Sequence, residues 1–136
     1  VVVTGVADST RYNEATRILR VTCEDNMALD GLELFLQDGT TPVASFTAEE
    51  LVNGGGTVEY TLQEKDEWET LTAVARDMAG NTGDSGAIRF LLTTNFMVQF
   101  VNNVPVLVCT VVGVLALVLF LLYVLVLRRT KKKENE

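Results

Sequence analysis

The sequence predicts a small all-β sandwich of about seven strands followed by a single transmembrane α-helix. Three observations carry that expectation. Residues 104–127, VPVLVCTVVGVLALVLFLLYVLVL, contain no charged side chain. Arg128, Arg129, Lys131, Lys132 and Lys133 follow at once. Upstream, apolar and polar residues alternate in short runs broken by turn-forming residues at a spacing of roughly ten, the pattern of half-buried strands.

The apolar stretch reaches roughly 36 Å at about 1.5 Å per helical residue, enough to cross a hydrocarbon core of about 30 Å with some tilt. A buried helix of a soluble domain would be shorter and keep a polar face. A secretory signal peptide is excluded by position near the C-terminus. Residues 84–103 carry only Asp84 and Arg89 as charges, whereas the other flank carries the basic cluster. Because basic flanks stay in the cytoplasm, residues 1–103 are expected outside a plasma membrane and residues 128–136 inside. Pro105 falls in the first turn, where a missing N–H costs nothing. Tyr123, Phe96 and Phe100 lie where aromatic rings favour the two interfaces.

Charge divides the chain further. Residues 1–103 hold six Lys and Arg against sixteen Asp and Glu, while the tail holds five against two. So acidic an outer region is unsuited to nucleic acid, whose phosphates need Lys and Arg. The basic tail also attracts anionic lipid head groups, by about 1 kcal/mol for each Lys or Arg. The lipid bilayer is thus the first expected partner. The sequence has no initiating Met and no signal peptide, yet its outer domain must be exported. It is therefore expected to be the last portion of a longer surface protein.

Taken in order, Val1–Val6 reads as an opening strand and Ala7–Thr10 as a turn. Thr16–Cys23 alternates, with Leu19, Val21 and Cys23 inward and Arg17, Arg20 and Thr22 outward. Glu24–Asn26 breaks it. Leu32–Gln37 resumes with Leu32, Leu34 and Leu36 inward, and Asp38–Gly39 turns the chain. Val43–Phe46 is a brief strand. Thr47-Ala48-Glu49-Glu50 has capping-box spacing and predicts one helical turn before Asn53–Gly56. Gly56–Leu62 places Val58, Tyr60 and Leu62 inward. The stretch holding Glu64, Asp66, Glu67 and Glu69 reads as a solvated acidic loop. Trp68 opens the next strand, Thr70–Asp77, whose small Ala73 and Ala75 are expected to leave room for Leu32, Leu34 and Tyr60 from the facing sheet. Met78–Gly83 is a turn, and Ile88–Leu92 the last strand. About seven strands of this kind fit an immunoglobulin-like sandwich over residues 1–93. Residues 94–103 form a juxtamembrane linker too apolar to hang free, expected to lie at the interface or to continue the helix outward.

These residues also carry a resemblance. The run Trp68–Thr82, with its Asp77-Met78-Ala79-Gly80-Asn81-Thr82 turn, together with Val3-Thr4-Gly5-Val6-Ala7-Asp8 and Leu29-Asp30-Gly31-Leu32, resembles the bacterial Ig-like repeats of large surface proteins. It covers residues 1–93. The resemblance implies tandem neighbouring repeats that act as spacers or adhesive stalks. The C-terminal layout resembles a Gram-positive cell-wall sorting signal, but no Leu-Pro-x-Thr-Gly precedes the span. Asn103-Val104-Pro105-Val106 does not replace it, so retention in the membrane is expected rather than transfer to the wall.

Chemistry is sparsely provided. With no His anywhere, Ser/His and Cys/His pairs are impossible and the commonest general base is missing. No enzyme activity, catalytic residue or cofactor is expected of this segment. Cys23 stands where antibody-type domains place a bridging cysteine, but its partner is missing and Cys109 lies in the span, so Cys23 reads as a buried free thiol. Asp25, Asn26, Asp77 and Asn81, at the ends of two strands expected to pair, are weak Ca²⁺ candidates, since Asx turns explain the same letters. The expected role is a membrane-proximal spacer and single-pass anchor. Two alternatives stand beside it: an adhesin or receptor module that binds an extracellular protein or glycan through Tyr12, Phe35 and Trp68, and the anchor of an enzyme lying upstream of Val1.

Overall fold

The computed structural model describes residues 1–24, 28–37 and 39–134, with side chains through Lys132. Asp25, Asn26 and Asp38, and the side chain of Lys133, lie outside the described residues, as do the break and turn expected there. The chain forms two compact units, Val1–Asn95 and Phe96–Glu136.

The first unit is a β-sandwich with nine strands among its described residues. In chain order they are β1 (Val2–Thr4), β2 (Thr10–Tyr12), β3 (Thr16–Thr22), β4 (Leu29–Leu36), β5 (Ala44–Thr47), then the short helix α1 (Ala48–Asn53), β6 (Thr57–Gln63), β7 (Glu69–Asp77), β8 (Thr82–Asp84) and β9 (Ile88–Leu92). One sheet has the order β1-β3-β6; the other runs β2-β9-β7-β4-β5, with β8 also on β7. All pairings are antiparallel except β2 with β9, which run parallel in the register Thr10↔Phe90, Arg11↔Leu91, Tyr12↔Leu92.

Alternation fixes which residues meet between the sheets. Leu19, Val21 and Cys23 from the first sheet face Leu32, Leu34, Leu71, Ala73, Ala75, Phe90 and Leu92 from the second, all buried in one cluster with Val58 and Leu62. At about 1.5–3 kcal/mol for each large side chain removed from water, this cluster is the main stabilising term. Leu32 and Leu34, however, do not come from the sheet opposite the alanines. They pair directly beside them, Leu32↔Ala75 and Leu34↔Ala73, so the small residues relieve crowding along one sheet. Tyr60 does come from the other sheet.

α1 forms as its spacing predicts. Thr47 Oγ1 accepts the Glu50 N–H at 3.3 Å, and the Glu50 carboxylate accepts the Thr47 N–H at 2.8 Å. These reciprocal bonds satisfy donors that open the helix. The helix drops Leu51 into the core. It ends at glycines, and Gly56 (φ +82°) is held so close to β3 that an added Cβ would lie 2.7 Å from the Cys23 carbonyl oxygen. In place of that Cβ, the Gly56 carbonyl accepts the Cys23 N–H at 2.8 Å.

The second unit contains α2 (Phe96–Val101) and α3 (Val104–Glu134). Residues 104–132 are long and apolar enough to cross a membrane, and the apolar window is not buried within the chain.

Candidate functional site

Three places in the molecule gather polar chemistry. At one pole of the sandwich, Cys23, Glu24, Asp77 and Asn81 line an open recess with Val1 and Leu29. β3 and β7, which lead to this pole, lie in different sheets and do not pair, contrary to the expectation for the Ca²⁺ candidates. Asn81 occupies both carboxylate oxygens of Asp77, its N–H donating to Oδ1 at 2.8 Å and its Nδ2 to Oδ2 at 2.7 Å. The turn is completed by Gly80 at φ +86° and by Asp77 N–H donating to Asn81 O at 3.0 Å. The bonds its carboxylate accepts, the Asn81 side-chain amide first, hold the Asp77 carboxyl below its ordinary range. Asp77 and Asn81 thus satisfy one another across the turn. Among the described residues no group of three His, Cys, Asp or Glu is placed to hold a metal. Beside the recess Cys23 is buried and free, with its thiol pKa pushed up by burial.

At the other pole the β6–β7 loop grips the end of the unit. Glu64 Oε2 accepts the Thr94 hydroxyl at 2.6 Å and its N–H at 2.7 Å. Asp66 accepts the Thr93 hydroxyl at 2.5 Å and the Asn95 side-chain amide at 2.9 Å. Between them, the Lys65 N–H donates to Leu92 O at 2.8 Å. The hydroxyl bonds come first in holding both carboxyls below their ordinary range. The loop expected to be merely solvated is therefore a clasp. Glu69 departs further from that expectation. It is buried as the first residue of β7, opposite Phe90, and burial raises its pKa against the pull of Lys65, 3.7 Å away. Its position is explained by strand parity, because residues 69, 71, 73 and 75 share the core face.

The aromatic residues are the third place. Tyr12 is half-buried; its hydroxyl accepts the Ala7 N–H at 2.8 Å, and the Arg17 guanidinium stacks 3.7 Å from its ring centre. Arg17, expected outward, shares the parity of Leu19 and Val21 and so lies on the inner face at the rim, paired with Glu14 and the Gly5 carbonyl. Trp68 is half-buried beneath the Arg89 guanidinium, 4.6 Å away, and Phe35 is half-buried in β4. Among the described residues of this unit, the strongly exposed large apolar ones are aliphatic or Met: Val2, Ile18, Val43, Val52 and Met78.

Two stacked sheets, antiparallel except for the pairing of β2 with β9, followed by a helix of membrane-spanning length, define an immunoglobulin-like module with a candidate membrane span. A fibronectin(III)-like module of CbhA from Clostridium thermocellum shares the fold, with a TM-score of 0.51 at 18% identity over 69% of this chain and 96% of the module. That share of the chain is about what the sandwich occupies. No family model matches the sequence, and no curated protein matches it.

Proposed function

We propose that this chain is the membrane-proximal spacer and single-pass anchor of a bacterial, Gram-positive surface protein, its sandwich outside the plasma membrane and its basic tail in the cytoplasm. The observation that carries the spacer reading is the parallel pairing of β2 with β9. A pull on the two ends of the module runs along these strands in opposite senses, so their hydrogen bonds bear it side by side in shear. The clasp of Glu64 and Asp66 on Thr93, Thr94 and Asn95 adds bonds where load would leave the module. Membrane retention rests on the apolar helix and the basic cluster of Arg128, Arg129, Lys131, Lys132 and Lys133, without a wall-sorting motif.

In this reading the segment has no catalysis and no cofactor of its own. Its partners are the bilayer and neighbouring repeats, and nucleic acid is not among them. The adhesin alternative needs aromatic side chains free to stack on a glycan or protein, and the Arg partners of Tyr12 and Trp68 favour the spacer. An enzyme upstream of Val1 is compatible with the same anchor.

The decisive experiment is to express residues 1–95 and screen the folded product against cell-wall glycans and host-matrix proteins. No saturable binding is expected; micromolar binding abolished by Trp68→Ala or Phe35→Ala would replace the spacer with the adhesin. Orientation is checked in intact cells with a membrane-impermeant lysine reagent, which should label Lys65 and spare Lys131–Lys133. Labelling of the tail alone reverses the topology.

A further inference from the structure

Between the sandwich and the span lies α2, and it does not continue the membrane helix. Asn102 and Asn103 end one helix and start the next. The Asn102 N–H and Nδ2 both donate to Val98 O, at 3.1 and 2.9 Å, and the Asn103 N–H donates to Phe100 O at 3.1 Å. The Asn103 carbonyl then accepts the Leu107 N–H at 2.9 Å, the opening bond of α3. At about 100° per residue, Phe96, Phe100, Met97 and Val101 share one arc of about 140°, with Val98 and Gln99 on the other side. Most of that arc is open: Phe96 is 74% exposed, Met97 62% and Val101 54%, with Phe100 half-buried. The Phe96 and Phe100 rings stack with centroids 6.1 Å apart, which makes one broad aromatic surface.

We propose that α2 is an interfacial foot whose Phe96, Met97, Phe100 and Val101 face inserts into the lipid head-group boundary beside the span. The proposal rests on the reading of α3 as the membrane anchor. Continuity with the span chooses lipid as the occupant. Val101 and Val104 are three Cα steps apart, a reach of about 10–11 Å even when fully extended, while the polar layer of one leaflet is itself roughly 5–7 Å thick. The C-terminal end of α2 is thus tethered in or close beside the layer where aromatic and apolar side chains of amphipathic helices partition. No charged residue stands between Arg89 and Arg128 to draw it back into water.

The test uses the full chain in phosphatidylcholine–phosphatidylglycerol vesicles whose acyl chains are brominated close to the head groups. Tryptophan fluorescence is compared among Phe96→Trp, Phe100→Trp, Gln99→Trp and Phe120→Trp, with Trp68 of the parent as background. All are aromatic replacements or exposed or half-buried sites, so folding is retained. Trp at 96 and 100 should be quenched at least about twofold more strongly than Trp at 99 or the native Trp68. Equal quenching at 96, 99 and 100 would mean that α2 is immersed as part of the span, and quenching no stronger than that of Trp68 would mean that water or protein covers it. Either result overturns the foot. Phe120→Trp reports separately on anchoring, because loss of its quenching by bromines placed deep in the chains would show that α3 itself is not in the bilayer.

Discussion

Leu19, Leu32, Leu34 and Leu71 of the sandwich have no exposed surface, while Leu117, Leu119, Leu121 and Leu125 of α3 are each more than half exposed. The residue type is the same and the surroundings differ. In β3, β4 and β7 every second position is polar or faces outward, so one chain can cover its own apolar face. In α3 the apolar residues run all round, and no face remains with which to close a protein core. The contrast teaches that periodicity, more than total hydrophobicity, tells whether an apolar segment is to be covered by its own chain or by another medium.

The largest expected effect tests that contrast directly. Leu34→Ala should destabilise the sandwich by about 2–5 kcal/mol, the cost of lost burial plus a cavity, read as a fall in its thermal midpoint in the full chain in micelles. Leu119→Ala should leave the same transition in place. If the two substitutions lower it equally, the units are not independent and the comparison breaks. In bilayers the sensitivity inverts for charge. Leu117→Lys should weaken insertion by about 2.5–3.5 kcal/mol, measured as the fraction of protein that resists carbonate extraction, with the sandwich transition unchanged.

Acid should separate the two units next. The carboxyls of Glu64, Asp66 and Asp77 titrate below their ordinary range in the fold because they accept hydrogen bonds there. Their contribution is therefore fully present above the ordinary carboxylate pKa and is lost as pH falls through the depressed folded values. Glu69 works in the opposite sense. Burial raises its pKa, so its contribution is present at low pH and declines as pH rises through the raised value. The midpoint of the sandwich should drop at acid pH, and the double variant Glu64→Gln, Asp66→Asn should show a shallower drop from a lower neutral value. Glu69→Gln should be no less stable than the parent at neutral pH. Circular dichroism of α3 in the bilayer should stay constant across the same range, and parallel loss of both signals would remove the distinction.

Much of this was legible in the sequence because the deciding interactions are local. Alternation in Thr16–Cys23, with Arg17 the exception, and in Thr70–Asp77, and the capping box at Thr47 and Glu50, read out correctly from neighbours. The long-range pieces were not legible. β2 is three residues long and gains its hydrogen bonds from β9 far along the chain, so nothing around Thr10–Tyr12 announces it. β8 hides inside a glycine-rich turn and pairs with the part of β7 that β9 leaves open, Val74–Arg76. The acidic loop misled for a related reason. Glu64 and Asp66 resemble solvated charge until Thr93, Thr94 and Asn95 return beside them, and Glu69 is buried by strand parity despite its charge. The break at Asn102–Asn103 was visible only as two polar letters in an apolar run.

The smallest expected effect is on the outer face of the β1-β3-β6 sheet, where Arg20 Nε donates to Glu59 Oε1 at 2.6 Å across the register pair Arg20↔Glu59. The bond is short and the pair sits directly opposite, a placement that favours opposite charges in a sheet. Yet the two side chains are 65% and 53% exposed. Water and salt screen the attraction, and holding two long side chains in one geometry costs entropy, so the coupling should be about 0–1 kcal/mol. A double-mutant cycle with Arg20→Ala and Glu59→Ala measures it, and the value should shrink further in high salt. A coupling of several kcal/mol would mean that this face is desolvated in the folded protein. It would then be a covered surface rather than a water-facing one, and the sandwich would resemble α3 in needing something outside its own chain to complete it.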